Sequence, residues 1–274
     1  MEGLKSRAVA LVVCVALILV GWFGGTALQN AGGDLITLKA SGLKANTVVM
    51  QIGDEDITAA EYLYWLTNSC DTIYQYYGIT DWSMNLTEDM TVGQYAKEQA
   101  DYYVCQYAAI RQLAAEKGIS LTEEQQTELD GMAEYYSTYY GSEEVYRYML
   151  AYAGLTEEML KDSNVVPYLY ESLCEQLLGE GGELEPTEER LQAFAESHGY
   201  TELSADTLKL YYTDTSYGAV YDYVNEYIDG LEVVKTEAYD SIDVAEFYPA
   251  LMVEREALPL PDTSTGEDAG STNE

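Results

Sequence analysis

The chain has 274 residues, with 13 Lys plus Arg against 48 Asp plus Glu, and a formal net charge of −35. Nucleic acid and anionic membrane surfaces repel such a polyanion, so neither is an expected partner, and the acidity itself reads as solubility. A chain of this length is long enough to bury a real core.

Residues 8–28 carry no charge and are long enough to cross a bilayer at about 1.5 Å per helical residue. Lys5 and Arg7 precede this run, and no Lys or Arg follows until Lys39. That bias keeps residues 1–7 in the cytoplasm and sends the remainder out. One transmembrane helix is therefore expected, anchoring an extracytoplasmic ectodomain in the cell membrane. The alternative is a signal peptide cleaved near Gly25 and Ala27, which would release a secreted protein. Residues 29–47 read as a linker.

Val48–Ile52 is a β-branched run that stops at the turn pair Gly53-Asp54, so it is expected to be a strand. Thr58 with Glu61 forms a capping-box pattern at the start of a helix. Ala59, Leu63, Leu66, Cys70, Ile73 and Tyr77 continue as its apolar stripe. After a loop over 78–85, Thr91 with Gln94 opens a long helix whose buried face is Ala96, Ala100, Tyr103, Tyr107, Ile110 and Ala114. It ends near Gly118. Thr122 with Gln125 opens another, carrying Leu129, Met132, Tyr136 and Tyr139 on one side. Gly141-Ser142 breaks it, and the next helix carries Val145, Tyr148 and Tyr152 as far as Gly154.

A helix starting at Thr156 meets Pro167, which should kink it or begin a new one. Its face continues through Val166, Tyr170, Leu173 and Leu177. Thr187 begins a short helix with Leu191, Phe194 and Ala195. Leu208, Leu210 and Tyr212 alternate with Lys209, Tyr211 and Thr213, which predicts a strand. Val220, Val224, Tyr227 and Leu231 form the last helical stripe. Val48–Ile52 is too short to stand alone, so its partner is sought near Leu210 or Val233. An acidic tail, residues 249–274, is expected to be disordered.

The opening strand, turn and capped helix resemble those of the SurA/PrsA-type extracytoplasmic foldases. Ile52-Gly53-Asp54 stands where that family has a Val-Asn-Gly-like turn. Residues 91–100, 113–124 and 148–158 resemble successive helices and joints of its N-terminal chaperone domain, and residues 223–247 resemble its closing segment. The resemblance implies a mainly α fold, a SurA N-terminal-like helical chaperone domain with a few short strands over residues 48–248. It also implies partners that are unfolded or newly exported polypeptides. Enzymatic members insert a parvulin-type prolyl isomerase module before the closing segment, and that module uses paired histidines. Here His198 is the sole histidine, and residues 199–217 are too few for the module. The expectation is a holding protein without prolyl isomerase catalysis. A prolyl isomerase with a divergent site and an envelope scaffold for one specific partner are the rival readings.

Other chemistry finds no support in the pattern. Ser197 beside His198 lacks a Gly-x-Ser-x-Gly elbow, and adjacent helical side chains are expected to point apart. Asp54-Glu-Asp56 lacks the spacing of a calcium loop, and no Cys/His cluster is present, so no catalytic residue, metal or cofactor is expected. Outside the N-terminal run, Cys70, Cys105 and Cys174 are an odd set. Cys70 lies on its helix's apolar stripe and reads as a small buried hydrophobe, and a Cys70–Cys105 bridge between the first two long helices is the alternative. Tyrosine is the outlier, 27 residues against 3 Phe. A large apolar ring with a polar tip suits loose contact with varied polypeptides. Tyr135, Tyr140 and Tyr146 fall off the predicted stripes and are the expected polypeptide-binding surface.

Overall fold

The structure, a computed structural model, describes residues 35–261. These form two compact units. The larger takes residues 35–108, 122–165 and 231–261, and the smaller takes 109–121 and 166–230.

In the larger unit, strand β1 (Val48–Ile52) turns at Gly53, whose φ of 56° suits a residue without a side chain, into β2 (Glu55–Thr58). The two pair antiparallel, Ile52 opposite Glu55 and Met50 opposite Ile57. Strand β2 escaped the sequence reading because Glu55 and Asp56 mask its single buried position, Ile57. On the other edge β1 pairs antiparallel with β3 (Val233–Lys235), Ile52 opposite Val233. The sheet order is β2-β1-β3. A register shift between Val48 and Met50 explains how the neighbours Val49 and Met50 are both buried.

The central strand lies under helix α2 (Ala59–Tyr77), capped by Thr58, whose Oγ1 accepts from the Glu61 N–H at 3.4 Å. Ala59, Leu63, Leu66, Cys70 and Ile73 are buried as the stripe predicts, whereas Tyr77 is 72% exposed. The last turn outruns the core to the left-handed Gly78. Helix α3 (Val92–Glu116) opens with the expected reciprocal cap. Thr91 Oγ1 accepts from Gln94 N at 3.2 Å, and Gln94 Oε1 accepts from Thr91 N at 2.7 Å. Its Ala96 and Ala100 are buried, and Trp65 stacks on Tyr103 at 5.2 Å. Helices α4 (Glu123–Tyr139) and α5 (Glu143–Ala153) pack on each other.

Two regions expected to lack structure are ordered. Within the presumed linker lies a short helix α1 (Ile36–Ser41), with Ile36 and Thr37 buried. Helix α11 (Val244–Glu256), which follows the one-turn α10 (Glu237–Asp240), runs through residues 249–256 of the presumed tail. Helix α11 packs on α1 and buries Phe247, Leu251 and Arg255. Phe247, Tyr248 and Leu251 join the main core, and beside them Arg255 Nη1 and Nη2 donate to both oxygens of Asp71 at 2.7 and 2.8 Å.

In the smaller unit the end of α6 (Glu157–Leu178), α7 (Glu188–His198), α8 (Ala205–Tyr212) and α9 (Ala219–Asp229) enclose Phe194, Tyr212 and Ala219. Helix α6 is continuous through Pro167, and the change of unit falls between Val165 and Val166. The predicted strand at 208–212 is instead α8. Ser204 caps it by accepting from Thr207 N at 3.2 Å, and Leu210, which the alternation placed inward, is 65% exposed.

The expected transmembrane helix is also corrected. Among the described residues no helix is long and apolar enough to cross a membrane, and residues 8–28, on which that expectation fell, lie outside them. What the structure describes is a mainly helical fold with one small sheet. Cys70, Cys105 and Cys174 are free thiols, so the Cys70–Cys105 bridge is not formed.

Candidate functional site

The Tyr135-Tyr-Ser-Thr-Tyr-Tyr140 run closes α4, and Ser142 starts α5 by accepting from the Val145 N–H at 3.1 Å. This short connection folds α5 back on α4 and brings five tyrosine rings together. Tyr146 stacks on Tyr136 with centroids 6.0 Å apart and planes 13° from parallel. Tyr136 in turn stacks on Tyr140 at 6.2 Å and meets Tyr135 edge-on at 5.3 Å. Tyr135 and Tyr139 are near-parallel, 18° apart at 6.4 Å, one turn apart on the helix. Such offset and edge contacts are the arrangements that the ring quadrupole favours.

Burial falls along this array. Tyr146 is 3% exposed and packs with Leu150, Leu155 and Leu160; Tyr136 and Tyr140 are half-buried; Tyr139 is 49% and Tyr135 64% exposed. Burial pushes the phenols of Tyr140 and Tyr146 up to about 12, with smaller contributions from neighbouring tyrosines and, at Tyr146, Glu157. Tyr136, Tyr140 and Tyr146 are raised in the same direction, so they stay neutral at ordinary pH and act as rings and hydrogen-bonding groups. The exposed end borders an open, shallow depression lined by Gly131, Glu134, Tyr135, Thr138 and Tyr139. Gly131 forms part of it without a side chain, and a Cβ built there would meet nothing within 4 Å.

Of the three tyrosines singled out from sequence, only Tyr135 is fully on the surface. Tyr146 is not exposed, because α5 buries two faces. Tyr146 and Leu150 meet the α4 side, while Tyr152 lies under Arg255, its ring 4.2 Å from the guanidinium and its carbonyl accepting from Arg255 Nε at 3.0 Å. A single stripe through Val145, Tyr148 and Tyr152 captures one face and misses the other. Tyr139, assigned to the interior, is exposed beside Tyr135, and its four-residue spacing from Tyr135 was the signal available for it.

The Ser197–His198 pair differs from expectation in geometry. Ser197 Oγ lies 3.0 Å from His198 Nδ1, and His198 Nε2 lies 3.4 Å from Asp222 Oδ2. Ser197 Oγ, however, donates to the Phe194 carbonyl at 3.0 Å, and His198 Nδ1 sits 3.0 Å from the same oxygen. The pair closes the last turn of α7, where the free backbone groups are carbonyls that repel a developing oxyanion. The arrangement is a helix-end clasp. Among the described residues no group of His, Cys, Asp and Glu could hold a metal ion.

Residues 3–166, more than half the chain, match the family model of the SurA-like N-terminal domain. The chain belongs to this family. No curated protein and no solved structure matches it. The matched span contains the whole tyrosine array, and it ends where the larger unit gives way to the smaller within α6. The SurA-like domain's sheet nevertheless depends on β3, which lies beyond the match.

Proposed function

We propose that this protein is an extracytoplasmic chaperone that holds unfolded or newly exported polypeptides and does not isomerise proline. The observation that carries the reading is the graded tyrosine array within the SurA-like domain: exposed rings at Tyr135 and Tyr139, backed by the half-buried Tyr136 and Tyr140 and the buried Tyr146. Exposed aromatic area of this kind adheres to apolar segments at low entropic cost. The location outside the cytoplasm rests on the charge order of the sequence, Lys5 and Arg7 ahead of the uncharged residues 8–28. The holding-only character is supported by residues 199–217, which form α8 with its flanking turns where a catalytic sheet would have to fit.

The purified protein is expected to suppress aggregation of an unfolded client and to leave cis/trans exchange in a proline peptide at its uncatalysed rate. That rate is tens of seconds, slow enough for catalysis to be conspicuous. Tyr135→Ala with Tyr139→Ala should weaken suppression while leaving the unfolding midpoint nearly in place, because exposed side chains contribute little to stability. Acceleration of exchange, or full suppression by the double variant, would overturn the proposal.

A further inference from the structure

We infer that the depression on α4 selects cationic client segments, in which Lys or Arg stands beside apolar residues in an extended stretch of chain. The inference rests on the holding function and names the class of segment that the Tyr135–Tyr139 ledge takes.

Charge complementarity carries it. The seventeen residues of α4 contain no Lys or Arg and five acids, all of them exposed, and of these Asp130 is paired with Lys161 from α6. Glu124, Glu128, Gly131 and Tyr135 follow one another at spacings of four, three and four, which places them along one face. Glu134 lines the depression itself, and none of its lining residues is cationic. The depression occupies the last turns of α4, where the helix dipole leaves about half a negative charge, and no basic side chain of that turn offsets it. The faces of Tyr135 and Tyr139 carry the negative part of the ring quadrupole, so they attract cations as well as apolar groups. Dipole, carboxylate and rings therefore all favour positive charge at one place, and the missing side chain of Gly131 lets a client backbone approach closely. The net charge of −35 steers the same segments from a distance. An acidic segment meets repulsion from every one of these elements.

The test uses the full chain and three dye-labelled peptides with identical apolar residues, flanked by Arg and Lys, by Gln, or by Glu, with binding read by fluorescence anisotropy. The basic peptide should bind about 3- to 10-fold more tightly than the Gln peptide at low salt, the range expected from one or two exposed cation–π and charge contacts. Glu134→Gln and Tyr135→Ala should each reduce that preference. Gly131→Lys, which enters open space, should abolish it with the fold intact by circular dichroism. Glu188→Gln with Glu189→Gln on α7 removes two charges, one more than Glu134→Gln, far along the sequence and should leave the preference unchanged. Equal binding of the basic and Gln peptides overturns the selectivity while the holding function stands. A preference that survives Glu134→Gln, Tyr135→Ala and Gly131→Lys alike assigns it to the overall charge and overturns the site. If none of the peptides binds and client aggregation is not suppressed, the holding reading itself falls.

Discussion

Replacing Arg255 with Met is expected to destabilise the larger unit by about 3 kcal/mol, because it leaves a carboxylate without its cation inside the fold. Arg255 donates through Nη1 and Nη2 to both oxygens of Asp71 and through Nε to the Tyr152 carbonyl. Its side chain is 3% exposed and that of Asp71 24%. Breaking a buried pair costs about 3–5 kcal/mol, and the partial exposure of Asp71 puts this one at the lower end. Asp71 would keep the Tyr248 hydroxyl at 2.7 Å, which offsets a little of the loss. For a fold of this size about 3 kcal/mol corresponds to a fall in Tm of about 6–12 °C, measurable by calorimetry or urea titration. Adding Asp71→Asn removes the stranded charge while retaining an acceptor for Tyr248, so the double variant should recover at least about 1 kcal/mol relative to simple additivity. A loss under about 1 kcal/mol in Arg255→Met, or strict additivity in the cycle, would refute the argument that this pair fastens α11 to α2.

Gly154→Ala should cost about 2 kcal/mol or more, since Gly154 has a φ of 71° and an added Cβ would stand 2.4 Å from Thr37 Cγ2. Gly78→Ala, at a φ of 64° with nothing within 4 Å, should show only the conformational part, about 1 kcal/mol, and equal losses would remove the steric argument. Burial pushes the phenols of Tyr64, Tyr103, Tyr140 and Tyr146 up to about 12 from 10.0, so their folded pKa exceeds the unfolded one. The stability they contribute is full below about pH 10 and is lost as pH rises toward 12, so urea midpoints should fall across that window. Phenolate absorbance rising in one ordinary step, with no loss of stability, would contradict this.

Much of the larger unit was legible because its signals are local. Thr91 with Gln94 and Thr122 with Gln125 form reciprocal caps in the structure as in the sequence, and the stripe from Ala59 to Ile73 is buried. Two of the failures come from partners distant in sequence. The end of α11, residues 249–256, reads as an acidic tail because the partners of Leu251 and Arg255 are far away in sequence, and α1 reads as a linker because its packing partner is α11. At 208–212 a period of two fitted a strand, but the Ser204 cap made a helix. Tyr146 was misplaced because a helix covered on two sides has no single stripe.

The array's gradient of burial answers a difficulty that any adhesive surface faces. Exposed rings that are free to rotate lose rotamer entropy when a client immobilises them, about 0.5–1.5 kcal/mol for each ordered side chain. Tyr135 and Tyr139 are already stacked on each other and backed by Tyr136 and Tyr140, with Tyr146 fixed in the core, so part of that cost is met in folding. The opposite hazard is that two such surfaces on separate copies adhere to each other. A net charge of −35 opposes that encounter between identical chains, and it leaves the approach of a neutral or basic segment unhindered. Acidity and tyrosine content, which look like unrelated extremes of composition, are on this reading two halves of one arrangement. The rings supply contact, and the charge keeps them available to something other than another copy of the chain.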